Sequence, residues 1–110
     1  NKCFLQNDSK KKLNMIIKIL VRQASRWSTA ALQDKSPLIA VLHANYGAGY
    51  LWALKDIASN SEIQDATGIN FKKFEYEIVT VLDKITKNLV NVCPDYAPTK
   101  SYLTKISGEG

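Results

Sequence analysis

SPLIAVLHANYGAGYLWALKDIASN, residues 36–60, decides how the rest of the chain is read. Nothing charged lies between Lys35 and Lys55, and Leu, Ile, Tyr and Trp supply most of the bulk. Ser36 suits a helix N-cap, and Pro37 suits the first helical position, where a missing N–H costs nothing. The pattern predicts a helix over residues 37–58 with two distinct sides. Ala40, Ala44, Gly47, Ala48 and Leu51 share one face, while Asn45, Gly49 and Ala53 fall on another. Two glycines inside a helix cost roughly 2 kcal/mol together relative to alanine, so their presence requires a reason. Small residues at this spacing let a neighbouring helix approach closely. The helix is therefore expected at the centre of the fold, gripped from two sides. Its Ala40, Ala44, Gly47, Ala48 face would pack within the chain or against a second copy.

The flanking segments supply partners for it. Leu13, Ile16, Ile17, Leu20, Ala24, Trp27 and Ala31 recur at three- and four-residue steps, and Asn7-Asp8-Ser9 offers capping residues, so a helix is expected over 8–32. Lys10 to Lys12 would then sit in its first turn, against the positive end of the helix dipole. Ser61 and Gln64 have the spacing of a capping box for a short helix over 62–67, stopped by Gly68. Asn70 can cap a last long helix over 70–92, in which Phe71, Phe74, Ile78, Val81, Leu82, Ile85, Leu89 and Val92 repeat at helical spacing. Lys73 with Glu77 and Asp83 with Lys87 are spaced to pair on its outer face. Residues 94–110 read as a C-terminal turn and tail, with Thr99 capping a turn that holds Tyr102, Leu103 and Ile106. No segment alternates with period two for long enough to insist on a strand. The expected fold is one all-α domain over 1–110, an up-and-down helical bundle of three main helices plus a short helix and a C-terminal turn.

Bulk composition agrees with a globular chain. It is 45% hydrophobic and 23% charged, with five Gly and three Pro, which argues against a loop-rich or disordered sequence. The net charge of +5 is local: residues 1–26 hold seven Lys and Arg against Asp8 alone. Cys3 and Cys93 are too few for a disulfide scaffold. They are either free thiols or one bond closing a loop of about 90 residues, which the chain-entropy model rates at roughly 4–5 kcal/mol. NKCFLQNDSKKK shows no apolar run behind a basic start, so no signal peptide is expected and an intracellular or virion-associated setting is favoured over secretion.

Chemistry is sparse. The single histidine, His43, shares a helix face with Tyr46 and Tyr50, a candidate small-molecule pocket or buried hydrogen-bond network. No carboxylate adjoins it in the local sequence and no nucleophile is spaced to use it, so no catalytic residue is assigned and a non-enzymatic protein is expected. One His and two Cys cannot build a four-ligand zinc site, and no metal or cofactor is expected. Gly47-Ala48-Gly49 follows no strand, opens no helix and lacks the third glycine of a dinucleotide loop. The uncharged run from Leu38 to Leu54 is 17 residues, at the lower limit for a bilayer span, and it carries His43, Asn45 and two tyrosines, so a bundle core is favoured over a membrane span. Lys11, Lys18, Arg22 and Arg26 line the polar side of the first helix, a candidate anion-binding face for nucleic acid or an acidic protein. No base-reading motif accompanies them.

LHANYGAGYLWALKDIAS (Leu42 to Ser59) and CPDYAPTKSYLTKISGE (Cys93 to Glu109) resemble uncharacterised small helical proteins encoded by large DNA viruses. The resemblance covers about a third of the chain, carries no catalytic motif, and implies a virion or assembly component. Together these readings point to a structural or protein-interaction module, with a protein partner or self-association, and with anion binding or a small-molecule pocket around His43 and Tyr50 as the alternatives.

Overall fold

The computed structural model describes residues 2–96, with side chains over 7–95. Helices α1 (Lys2–Gln33), α2 (Pro37–Ile57), α3 (Asn60–Thr67) and α4 (Phe71–Val92) are followed by a 3₁₀ turn at Pro94–Tyr96. The described chain is an all-α helical bundle, and α1 and α4 both pack on α2. The expected turn around Thr99, Tyr102, Leu103 and Ile106 lies outside the described residues.

Two boundaries differ from the sequence reading by more than one residue, each for a local reason. α1 begins at Lys2 rather than near Asp8. Asn7, Asp8 and Ser9 are exposed inside the helix, where each costs only a few tenths of a kcal/mol relative to better helix formers. The earlier start carries Lys10–Lys12 into the third turn, beyond reach of the dipole's positive end, so the expected conflict disappears. α3 begins at Asn60, and its capping box pairs Ser59 with Glu62 instead of Ser61 with Gln64. The Glu62 amide donates to Ser59 Oγ at 3.2 Å while the Ser59 amide donates to Glu62 Oε1 at 2.9 Å. A carboxylate in that role accepts a charge-assisted bond and complements the helix N-terminus, which a neutral glutamine does less well. Gly68 ends α3 with φ +76°, the left-handed conformation that L-residues avoid.

The core follows from the periodicity of α1. Ile17, Ala24 and Ala31 recur every seven residues and are fully buried, with Leu13, Leu20 and Trp27 partly buried between them. That step keeps one narrow stripe against a neighbouring helix. Ile16, expected on this face, lies about 100° around the helix from Ile17 and is exposed. Ile17, Ala24, Leu51, Leu54, Ile63, Phe71 and Ile78 form the larger core cluster, and Ala31, Ala40, Ala44 and Ile85 a smaller one. Each fully buried Leu or Ile contributes roughly 1.5–3 kcal/mol. α3 packs on α1 and α4 and inserts Ile63 into the large cluster.

Surface ion pairing is thin. Among the described residues Lys55 pairs with Glu75, and Asp34 contacts the His43 imidazole. The Lys73–Glu77 and Asp83–Lys87 pairs expected along α4 are not formed. Exposed long side chains gain little from pairing in water, so their rotamer entropy wins.

Candidate functional site

The small-residue face of α2 is consumed by the fold. Ala40, Ala44, Gly47 and Ala48 are all buried within the chain, so they are packing residues and not a surface for a second copy. Gly47 is the point of closest approach. A Cβ built on it would overlap Ser28 Oγ and lie 3.0 Å from the Ala24 carbonyl oxygen and 3.1 Å from the Ser28 nitrogen. α1 thus passes α2 at a distance that only glycine permits at this position. Ser28 is itself buried, and its hydroxyl has no hydrogen-bond partner among the described residues.

The candidate pocket face holds a feature that local sequence conceals. His43 Nδ1 lies 2.5 Å from Asp34 Oδ2. Asp34 sits just beyond α1, where its amide donates to the Ala30 carbonyl at 3.0 Å and closes the last turn. The three-residue link Asp34-Lys35-Ser36 before Pro37 folds α2 back along α1, and helical side chains lean toward the N-terminus, so His43 reaches a carboxylate nine positions earlier. The only sequence signal was the brevity of that connection. Trp27 completes the cluster, its ring centroid 5.1 Å from that of His43 and 5.3 Å from that of Tyr46, the latter edge-on at 86°. No hydroxyl or thiol of the described residues hydrogen-bonds the imidazole. The arrangement orients a histidine and locks the α1–α2 corner without assembling a nucleophile and base. Tyr50 is apart from this cluster and packs on the larger core.

What the sequence reading placed as the second gripped side of α2 has no described element against it. Leu38, Ile39, Leu42, Tyr46, Trp52 and Ile57 are each between 42% and 51% exposed, and Asn45, Gly49 and Ala53 lie among them. Grooves run along both flanks. One, about 540 Å³, lies between α1 and α2 and is lined by Leu20, Trp27, Tyr46, Gly49, Tyr50 and Ala53 among others. The other, about 430 Å³, lies between α2 and α4 beside Val41, Leu82 and Val90. Asn45 borders both, so the outer face of α2 is a ridge of apolar side chains between two channels.

The basic residues are where helical spacing puts them. Lys11, Lys18, Arg22 and Arg26 are exposed along α1, and none forms an ion pair among the described residues. Met15 and Ile19 interleave with them, and Lys11, Asn14, Met15, Lys18, Ile19 and Arg22 border a shallow groove of about 400 Å³. Cys93 is a half-buried free thiol at the C-cap of α4, while the side chain of Cys3, its candidate partner, lies outside the described residues. Among the described residues no three His, Cys, Asp or Glu are grouped to hold a metal ion, and no helix is long and apolar enough to cross a membrane. Comparison with family models, curated proteins and solved structures returns no significant match to this chain.

Proposed function

We propose that the protein is a non-enzymatic interaction module that presents the outer face of α2 to a protein partner. One observation carries the reading: the least charged helix of the chain buries one side and leaves the opposite side apolar. Side chains of this size expose on the order of 200 Å² each when free, so the six half-exposed residues offer about 550 Å², at the upper end of the largest patch on a typical monomer. A face used only for solvation would carry charge, as the outer sides of α1 and α4 do. The resemblance to small helical proteins of large DNA viruses fits a virion or assembly role for such a module.

The test is to place a photo-crosslinking residue at Leu42 or Trp52 in cells that make the protein. A crosslinked protein species is expected at both positions and absent at exposed Tyr76 on α4. Recovery of the uncrosslinked chain alone at all three positions would refute the reading.

A second reading rests on the unpaired Lys11, Lys18, Arg22 and Arg26. Four cations in a row along a helix suit a polyanion such as nucleic acid or an acidic protein. The interleaved Met15 and Ile19 favour an acidic partner with apolar residues of its own, since phosphate backbones offer nothing to those side chains.

A further inference from the structure

We propose that the partner of the α2 face is a second copy of this chain, with the two α2 helices packed antiparallel and Leu42 of each copy seated over Gly49 of the other. The proposal deepens the interaction reading above and rests on it.

Gly49 supplies the first argument. It lies inside α2, is exposed, and a Cβ added to it would meet nothing within 4 Å. A mid-helix glycine costs about 1 kcal/mol relative to alanine, and nothing in the described chain offsets that cost. Gly47, two residues earlier, has its reason in the passage of α1. A second helix crossing on the outer side would give Gly49 the same reason.

The second argument is self-complementarity. Two identical helices packed antiparallel about a two-fold axis place each residue opposite a fixed counterpart. Setting Leu42 against Gly49 fixes the seam: Leu38 meets Ala53, and Lys35, in the link before α2, comes level with Asp56 near the C-terminal end of the other copy's helix. Along the central seam a large side chain lies over a small one, and at both ends a cation lies beside an anion. Lys35 and Asp56 are exposed, and neither forms an ion pair among the described residues. A parallel arrangement would set Lys35 on Lys35, Asp56 on Asp56 and Gly49 on Gly49, leaving two repulsions and a void.

The flanking groove is the third. Gly49 and Ala53 line the channel of about 540 Å³ between α1 and α2. Leu38 and Leu42 of the second copy, lying over Ala53 and Gly49, enter that channel, where Leu20 and Trp27 of α1 meet them. The apolar patch of about 550 Å², extended by the channel walls, approaches the ~800 Å² per partner of a standard interface.

The experiment measures mass against concentration by sedimentation equilibrium for the whole 12.3 kDa chain and four variants. The wild type is expected to approach twice the chain mass as concentration rises. Gly49→Leu is expected to remain at the single-chain mass with unchanged helicity, because its side chain enters open space in the monomer. Lys35→Glu and Asp56→Lys should each weaken association about tenfold at low salt, and the combined variant should restore it. A wild type of single-chain mass at every concentration overturns the proposal. So does a dimer that Gly49→Leu leaves intact, or one indifferent to both charge reversals. The Leu42 crosslink separates this proposal from the reading beneath it. A crosslink to α2 of a second copy supports both, one to a different protein overturns the second copy alone, and one to residues 97–110 of the same chain overturns both.

Discussion

Gly47→Ala and Gly49→Ala are the same chemical change made two residues apart in one helix, and they should move stability in opposite directions. Alanine improves on glycine in a helix by about 1 kcal/mol at either site. At Gly49 that gain stands alone, since the added methyl meets nothing within 4 Å. At Gly47 the methyl overlaps Ser28 Oγ, which a rotamer change can relieve, but it also comes within 3.0 Å of the Ala24 carbonyl oxygen and 3.1 Å of the Ser28 nitrogen. Those are backbone atoms of α1, and they yield only if the two helices separate. Overpacking of this kind costs roughly 1–3 kcal/mol, which matches or exceeds the propensity gain and also loosens contacts along Ala24, Ala31, Ala40 and Ala44.

The expected separation between the two variants is therefore about 1–3 kcal/mol, with Gly49→Ala the more stable. For a domain of this size 1 kcal/mol shifts the midpoint by roughly 4 °C or more, so thermal melts followed by circular dichroism at low protein concentration resolve it. Adding Ser28→Ala to Gly47→Ala should recover only part of the loss, because it removes the hydroxyl and leaves the two backbone contacts. Gly47→Ala as stable as Gly49→Ala would refute the close α1–α2 passage, and full rescue by Ser28→Ala would place the obstruction in the side chain instead.

Three further outcomes follow from particular contacts. Ser59→Ala removes the N-cap of α3 and should cost about 1 kcal/mol in urea denaturation, whereas Ser61→Ala should cost a few tenths; the reverse order would reassign the cap. Leu51→Ala empties a fully buried site and should cost about 2–5 kcal/mol, while Leu42→Ala, on the exposed ridge, should cost under 1 kcal/mol at concentrations where the chain is monomeric. The double variant Arg22→Glu, Arg26→Glu should abolish any binding to a polyanion at low salt, leave the melting midpoint within a few degrees, and eliminate the steep salt dependence that defines such binding. Retention of binding by that variant would remove the second functional reading.

The bundle was legible because its determinants are local. The seven-residue recurrence of Ile17, Ala24 and Ala31, the Ser36-Pro37 start, Gly68 and Asn70 each act within a few residues of where they stand in sequence. The α3 cap is ambiguous in sequence because Ser59 with Glu62 and Ser61 with Gln64 have the same spacing, and the charged acceptor Glu62 decides between them. The early start of α1 was missed because Asn, Asp and Ser are good caps and also tolerable exposed helix residues, and sequence alone does not choose between those uses. Asp34 beside His43 was out of reach for a different reason: the pair spans a helix reversal, and its existence depends on how the short link rotates α2 about α1.

The same distinction explains the two glycines. Helical spacing shows that Gly47 and Gly49 face different ways, yet it cannot say which side a neighbour covers. That depends on topology, since among the described elements the long helices α1 and α4 both cover α2 on one side. A helix apolar all round is normally enclosed all round. α2 is apolar on both sides and enclosed on one by the described elements, so its outer face bears the cost of exposed Leu38, Leu42 and Trp52 together with an unexplained glycine. Selection for solubility or stability of an isolated monomer would act against each of these, through a charge on the ridge or an alanine at position 49. Their coincidence on one stripe, with Lys35 and Asp56 at its two ends, is accounted for by a third helix packed there.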